Sequence, residues 1–251
     1  MAEPTAAALS TADLPALAAH DPASQWQRFQ QLLWFDDDLG AWLDLSRMAI
    51  SGQQLEALRP RFAEAFKAMA ALEAGAIANP DEQRQVGHYW LRTPALAPDP
   101  TVAAHVSAEI NRIEVFGRDV LAGSLTTAGG QRFTDVLWVG IGGSGLGPLL
   151  MVRALQEPGQ GLPFHFFDNV DPDGISRTLA ALGDRIRTSL VIVVSKSGGT
   201  PEPHLGMLQA RRAVEAHGGS WAHQAVAVTM LGSKLDQTAA DEGWLARFDM
   251  F

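Results

Sequence analysis

An α/β fold is predicted: a five-stranded, mostly parallel, doubly wound sheet with helices on both faces, preceded by an all-helical N-terminal segment. Three observations carry it. Beyond Gly130, short apolar runs at 135–141, 163–168, 189–195, 224–230 and 245–249 alternate with helix-length stretches near 146–156, 173–183, 201–217 and 233–242. Before Gly130, apolar residues recur mainly at three- and four-residue spacings. Two strand runs open straight into glycine- and hydroxyl-rich turns that precede a helix, DVLWVGIGGSGLGP at 135–148 and VIVVSKSGGTPE at 191–202. Strands separated by helices pair in parallel, because each right-handed crossover returns the chain to the same edge and covers a face of the sheet.

The 251 residues suffice for one large domain, or a medium one with an appendage, and 47% hydrophobic content is ordinary for a buried core. A formal net charge of −9 argues against nucleic acid and anionic membranes as partners, so any bound anion must be held by local donors. The absence of cysteine excludes disulfides, thiolate catalysis and cysteine zinc sites. The first twenty residues lack a basic start followed by a continuous apolar run, and no stretch reaches transmembrane length; a cytoplasmic protein is the expectation.

In chain order, residues 1–24, rich in Ala, Pro, Thr and Ser, are expected to be a mobile tail. Residues 25–130 form the helical segment. Within it, Trp26, Phe29, Leu32, Leu33, Leu39, Trp42 and Leu43 suggest helical pieces broken near Phe35–Asp38. Asp36, Asp37 and Asp38 read as a solvated, capping turn rather than a metal site, since consecutive carboxylates do not converge on one ion without backbone help. Leu55, Leu58, Phe62, Phe66, Met69 and Leu72 make one helical stripe, kinked or restarted at Pro60, expected to be core packing. Asn79, Pro80 and Glu82 form a helix-start signature for a helix over 81–92 carrying Arg84, His88 and Arg92, polar groups with no assigned role. Thr101 is the expected cap of a long helix ending at Gly123. The junction at Ser124–Gln131 then marks the start of the α/β domain, 131–251.

Ligands in such sheets bind beyond the carboxyl ends of the strands, which selects the loops at 142–148, 169–174, 195–200 and 230–234. In the first, Gly142, Gly143, Gly145 and Gly147 bring bare N–H groups to a helix N-terminus, and Ser144 adds a hydroxyl. Gly140, Gly142 and Gly145 formally satisfy G-x-G-x-x-G with Asp168 downstream, so a dinucleotide site stays open; a P-loop does not, because Pro148 follows Gly147 where its lysine belongs. In the second loop, Ser195, Lys196, Ser197 and Thr200 flank Gly198 and Gly199, a set able to wrap a tetrahedral dianion with charge-assisted hydrogen bonds. A plain hydroxyl-rich turn explains either loop taken singly; two of them on one sheet are harder to dismiss.

The pair IGGSGLGP (141–148) and SKSGGTPE (195–202), with NPDEQRQVGHYWLR (79–92) and DNVDPDG (168–174), resembles the glucose-6-phosphate isomerase family and its sugar-isomerase (SIS) fold. The resemblance implies an aldose-ketose isomerase of glycolysis and gluconeogenesis that interconverts glucose 6-phosphate and fructose 6-phosphate through an enediol, with no cofactor and no metal. It implies phosphate contacts from Gly143, Ser144, Ser195, Lys196, Ser197 and Thr200, and a supporting role for Glu202 beside a catalytic histidine. Ser197 stands where many members carry threonine, and Gly198-Gly199 replaces a bulkier pair. The family's base, ring-opening and arginine residues would lie past Phe251, so the resemblance implies an amino-terminal portion that is inactive by itself. It further implies a sugar phosphate as small-molecule partner and a homodimer for the full-length family enzyme. A non-catalytic phosphosugar-binding module is the alternative.

Overall fold

The computed structural model describes residues 14–15, 21–157 and 159–250. By compactness the chain divides into two units, Met1–Val86 and Gly87–Phe251.

In the first unit, Asp21 caps α1 (Pro22–Leu32), its carboxylate accepting from Ser24 N at 2.9 Å. Of the expected mobile tail, residues 1–13 and 16–20 lie outside the described residues, whereas 22–24 belong to α1. The helical pieces expected after it are instead a hairpin of β1 (Leu33–Asp36) and β2 (Ala41–Asp44), with Phe35 opposite Trp42 and their rings 4.3 Å apart. Aromatic residues favour a pleated surface and pair across strands, and in four-residue runs a helical and an extended period cannot be told apart. The acidic run does form a turn: Asp36 accepts from Leu39 N at 2.8 Å, and Gly40 takes a positive φ.

Ser51 and Gln54 close a capping box at the start of α2 (Gly52–Glu73), which runs uninterrupted through Pro60 rather than restarting there. None of its side chains is buried; of the expected core stripe, Phe62, Phe66 and Met69 are exposed while Leu55, Leu58 and Leu72 are half-buried. An element unforeseen from sequence orders this unit. Arg28, itself buried, donates to the carbonyls of Pro15, Ser46, Met48 and Ile50, pinning the segment that leads into α2. Asn79 accepts from the N–H groups of Asp81 and Glu82, as a cap would, yet of the expected helix over 81–92 only His88–Arg92 is helical. Arg84 N bonds back to Asn79 O at 2.9 Å and Gln83 has φ 52°, which closes a tight turn instead.

The second unit opens with α3 (His88–Arg92) and α4 (Pro100–Ala122). The cap of α4 is Asp99 rather than Thr101, whose N–H and hydroxyl both donate to that carboxylate at 2.8 Å; Gly123, at φ 77°, ends the helix. Then follow β3 (Asp135–Val139), α5 (Gly143–Leu155), β4 (Phe164–Phe167), α6 (Pro172–Leu182), β5 (Ser189–Val194), α7 (Pro201–Ala216), α8 (Trp221–Gln224), β6 (Ala225–Thr229), α9 (Lys234–Asp241) and β7 (Ala246–Asp249). Among the described residues the sheet has five strands, all parallel, in the order β4-β3-β5-β6-β7. The junction expected at 124–131 lies inside this unit, because α4 packs on the sheet: Phe116 and Val120 meet Phe133, Leu190, Val226 and Phe248.

Both faces of the sheet carry helices. Leu137, Val139, Val191, Val193, Ala225 and Ala227 pack under α6 to α9, forming the main core. The opposite face, Val136, Trp138, Leu190, Ile192, Val226 and Val228, lies beneath α4 and α5, which leave between them an apolar groove of about 710 Å³. No helix among the described residues is long and apolar enough to cross a membrane.

At the amino end of β3, Asp135 is fully buried and its Oδ1 accepts from Arg185 at 2.6 Å and lies 2.8 Å from His165 Nε2. One carboxylate thus ties β3 to β4 and to the turn before β5. Arg185 is half-exposed and stays solvated without it, so Asp135→Ala loses chiefly hydrogen bonds, to the largely buried His165 above all, and is expected to cost about 1–2 kcal/mol. Urea unfolding of the two proteins measures this; a difference within about 0.5 kcal/mol, the range of ordinary surface changes, contradicts it.

Candidate functional site

The site is built where β3 and β5 end. They are adjacent, with Val139 opposite Val193, so the loops at 140–144 and 195–200 leave neighbouring strands at the same level. Parallel strands lie about 4.8 Å apart. The sequence therefore does bring Ser144 and the second hydroxyl turn to one sheet edge.

In the first loop, Gly142 (φ 53°) turns the chain, and α5 starts at once at Gly143, three residues before the expected start near 146. Gly143, Ser144, Gly145 and Gly147 are thus helical rather than looped, and Pro148 sits inside the helix. A side chain at Gly145 would place its Cβ 2.4 Å from Gly140 O, and one at Gly140 would sit 2.8 Å from Ser144 O. Strand end and helix start touch backbone to backbone. Pro148 has no N–H to give to the carbonyl four residues earlier, which is that of Ser144. The sheet supplies the missing donor: Trp138 Nε1 donates to Ser144 O at 2.7 Å. The peptide carrying Ser144 is therefore held by an indole as well as by its helix.

In the second loop Ser195 is buried, Lys196 and Ser197 are exposed, and Thr200 is half-buried as the N-cap of α7. Ser195 Oγ accepts from Gly198 N at 3.1 Å and Ser197 Oγ from Gly199 N at 3.2 Å, so both hydroxyls shape the loop while keeping their own protons for a ligand. Gly198 (φ 67°) passes so near α9 that a Cβ would lie 2.3 Å from Leu235 N. Behind the loop is a cavity of about 40 Å³, lined by Ser195, Gly198 and Thr200 together with His204, Lys234 and Leu235. Ser144 does not line it.

The helix start of α7 is a poorer anion site than its position suggests. Pro201 and Pro203 bring no N–H, and His204 N turns back to Thr200 O at 3.4 Å. That leaves the Glu202 N–H as the donor of the first turn, and the rest must come from the loop itself. Glu202 is half-buried in the first turn of α7. Two neighbouring loops are also ordered. Asp171, the cap of α6, accepts from Gly174 N at 2.8 Å, and Asp168 lies so close to Gly145 that a side chain on that glycine would bring the two Cβ atoms to 3.6 Å. At the base of α9, Asp236 has its carboxyl pushed below the ordinary aspartate range, first by the Gly232 N–H and then, against the cost of burial, by Arg247. Arg84 stands in the first unit and His88 and Arg92 in the second, His88 and Arg92 both exposed. Sequence reasoning missed Trp138, although a proline four residues after Ser144 signals a carbonyl in need of a donor.

A family model for phosphoglucose isomerase matches residues 44–249. A glucose-6-phosphate isomerase of Parasynechococcus marenigrum is 65% identical over 237 residues, which is 94% of this chain and 43% of that protein. One from Nostoc punctiforme is 48% identical over 231 residues, 92% of this chain and 44% of that protein. The crystal structure of a glucose-6-phosphate isomerase from Chlamydia trachomatis superposes with a TM-score of 0.73 at 27% identity, covering 94% of this chain and 45% of that one. The chain thus spans less than half the length of these relatives.

The two glycines of the first loop are expected to respond oppositely to alanine. Gly145→Ala drives a methyl into fixed backbone and should destabilise by about 1–3 kcal/mol. Gly143→Ala meets nothing within 4 Å and should be neutral or stabilising by a few tenths of a kcal/mol. Thermal melts of both variants test the pair; equal melting temperatures would refute the close approach of Gly140 and Gly145.

Proposed function

Because the chain belongs to the phosphoglucose isomerase family, we propose that it is the phosphate-gripping portion of an aldose-ketose isomerase working between glucose 6-phosphate and fructose 6-phosphate. One observation supports this most: two hydroxyl-bearing turns end adjacent parallel strands, each anchored to the sheet. On this reading Ser144 Oγ and the Gly143 N–H meet the phosphate from one side, and Ser195, Lys196, Ser197 and Thr200 from the other.

The phosphate takes no part in the chemistry, which lies at the opposite end of the sugar. Its binding energy serves to orient the chain of carbons, so that C1 and C2 stand before a base throughout ring opening and proton transfer. The reaction moves a proton between carbons through an enediol and leaves the substrate's overall oxidation state unchanged, so it calls for no redox cofactor. Glu202, in the first turn of α7 beside the loop, is suited to steady a catalytic imidazole. The base, that imidazole and the charge-stabilising arginine are assigned to residues outside these 251. A homodimer is proposed for the full-length enzyme.

Two outcomes are expected. Calorimetric titration of the 251-residue protein with fructose 6-phosphate should show saturable binding, weakened roughly tenfold or more by Lys196→Ala, the size of a charge-assisted contact. A coupled isomerase assay on the same protein, prepared free of host enzyme, should show no turnover. Tight NADH binding with indifference to fructose 6-phosphate would instead promote the dinucleotide reading of Gly140, Gly142 and Gly145; turnover by the 251 residues would refute the assignment of the proton-moving groups elsewhere.

A further inference from the structure

Resting on that reading of loop 195–200, we infer that Thr229 is a positioning residue for the phosphate grip, acting through its hydroxyl with Ser233 behind it. Thr229 ends β6 and is 2% exposed. Its Oγ1 lies 2.6 Å from Ser195 O and 3.3 Å from Lys196 O, and 2.7 Å from Ser233 Oγ. A hydroxyl has one proton. It goes to the nearer carbonyl, so Ser233 must donate to Thr229, while Ser233 Oγ accepts from Asp236 N at 3.1 Å as the cap of α9. The bonds therefore run one way, from the first turn of α9 through two hydroxyls to the Ser195 carbonyl.

The direction matters because peptide units are flat and trans. With its C=O fixed toward β6, the Ser195–Lys196 peptide must aim the Lys196 N–H the opposite way. The next peptide is treated alike: Lys196 O accepts from Met230 N at 3.1 Å, which turns the Ser197 N–H away from β6. Both peptides thus turn their carbonyl oxygens, which would repel a phosphate, toward β6, and their N–H groups toward the β3 side, where the Ser144 turn emerges. Such paired amides form an anion-binding concavity. Met230 contributes through its backbone whatever its side chain, whereas the Ser195 carbonyl depends on the Thr229 hydroxyl.

The test titrates inorganic phosphate and fructose 6-phosphate into the wild-type protein, Thr229→Val, Thr229→Ser and Thr229→Ala, with melting curves run alongside. Thr229→Val keeps the shape and loses the proton; it should weaken both anions by a similar factor, about tenfold. Thr229→Ser should restore affinity to within about twofold of wild type, which a purely packing role for the methyl would not produce. Wild-type affinity in Thr229→Val overturns the proposal. Should that variant fail to fold, Thr229→Ala decides, since it too removes the hydroxyl that holds the Ser195 carbonyl: affinity unchanged there also overturns it. Failure of the wild-type protein to bind either anion is a separate result, and refutes the phosphate reading itself.

Discussion

The pairing of β3 with β5 is the constraint on which the site depends. Parallel strands carry their chains out at the same edge, and the register that sets Val139 against Val193 brings two turns from residues some fifty positions apart to one place. The pairing is itself secured at the other end of β3, where buried Asp135 holds Arg185 and His165. A slip of β3 by one residue would turn Leu137 and Val139 out of the main core, and a slip of β5 would do the same to Val191 and Val193. The hydrophobic pattern thus fixes where the turns emerge, and the turns need only local chemistry to become a site.

That local chemistry is solved differently in the two loops. The first relies on missing atoms: no Cβ at Gly140 or Gly145, and no N–H at Pro148. The second relies on donors from the neighbouring strand, which hold its carbonyls against β6. In each case a peptide group is anchored from outside its own loop, by Trp138 or by Thr229 and Met230. An anion held by such groups meets dipoles already oriented, with little reorganisation left to perform.

Much of the second unit is legible in the sequence because parallel strands buried on both faces read as short apolar runs, and the helices between them are long enough to show their period. The first unit is less so. The hairpin at 33–44 reads as broken helix since four residues do not reveal a period, and Asn79 forms its cap without a helix because Arg84 folds back on it. The stripe on α2 has the right spacing for a core, but spacing says which residues share a face and not whether anything lies against it. The site's hydroxyls and lysine can be named from composition and order alone. Their anchors cannot: Thr229 lies some thirty residues from the loop it holds, and only strand order reveals that β6 adjoins β5.

The link from α9 to Ser195 also sets a sequence in time. As a chain leaves the ribosome from its amino end, β3, β4 and β5 emerge before β6, and both glycine turns are exposed before Thr229 and Ser233 have been made. Until residue 229 is free to fold, Thr229 cannot hold the Ser195 carbonyl toward β6. On the proposed reading, nascent protein of that length would hold an unfinished phosphate cradle, completed only after four of the sheet's five strands have been delivered.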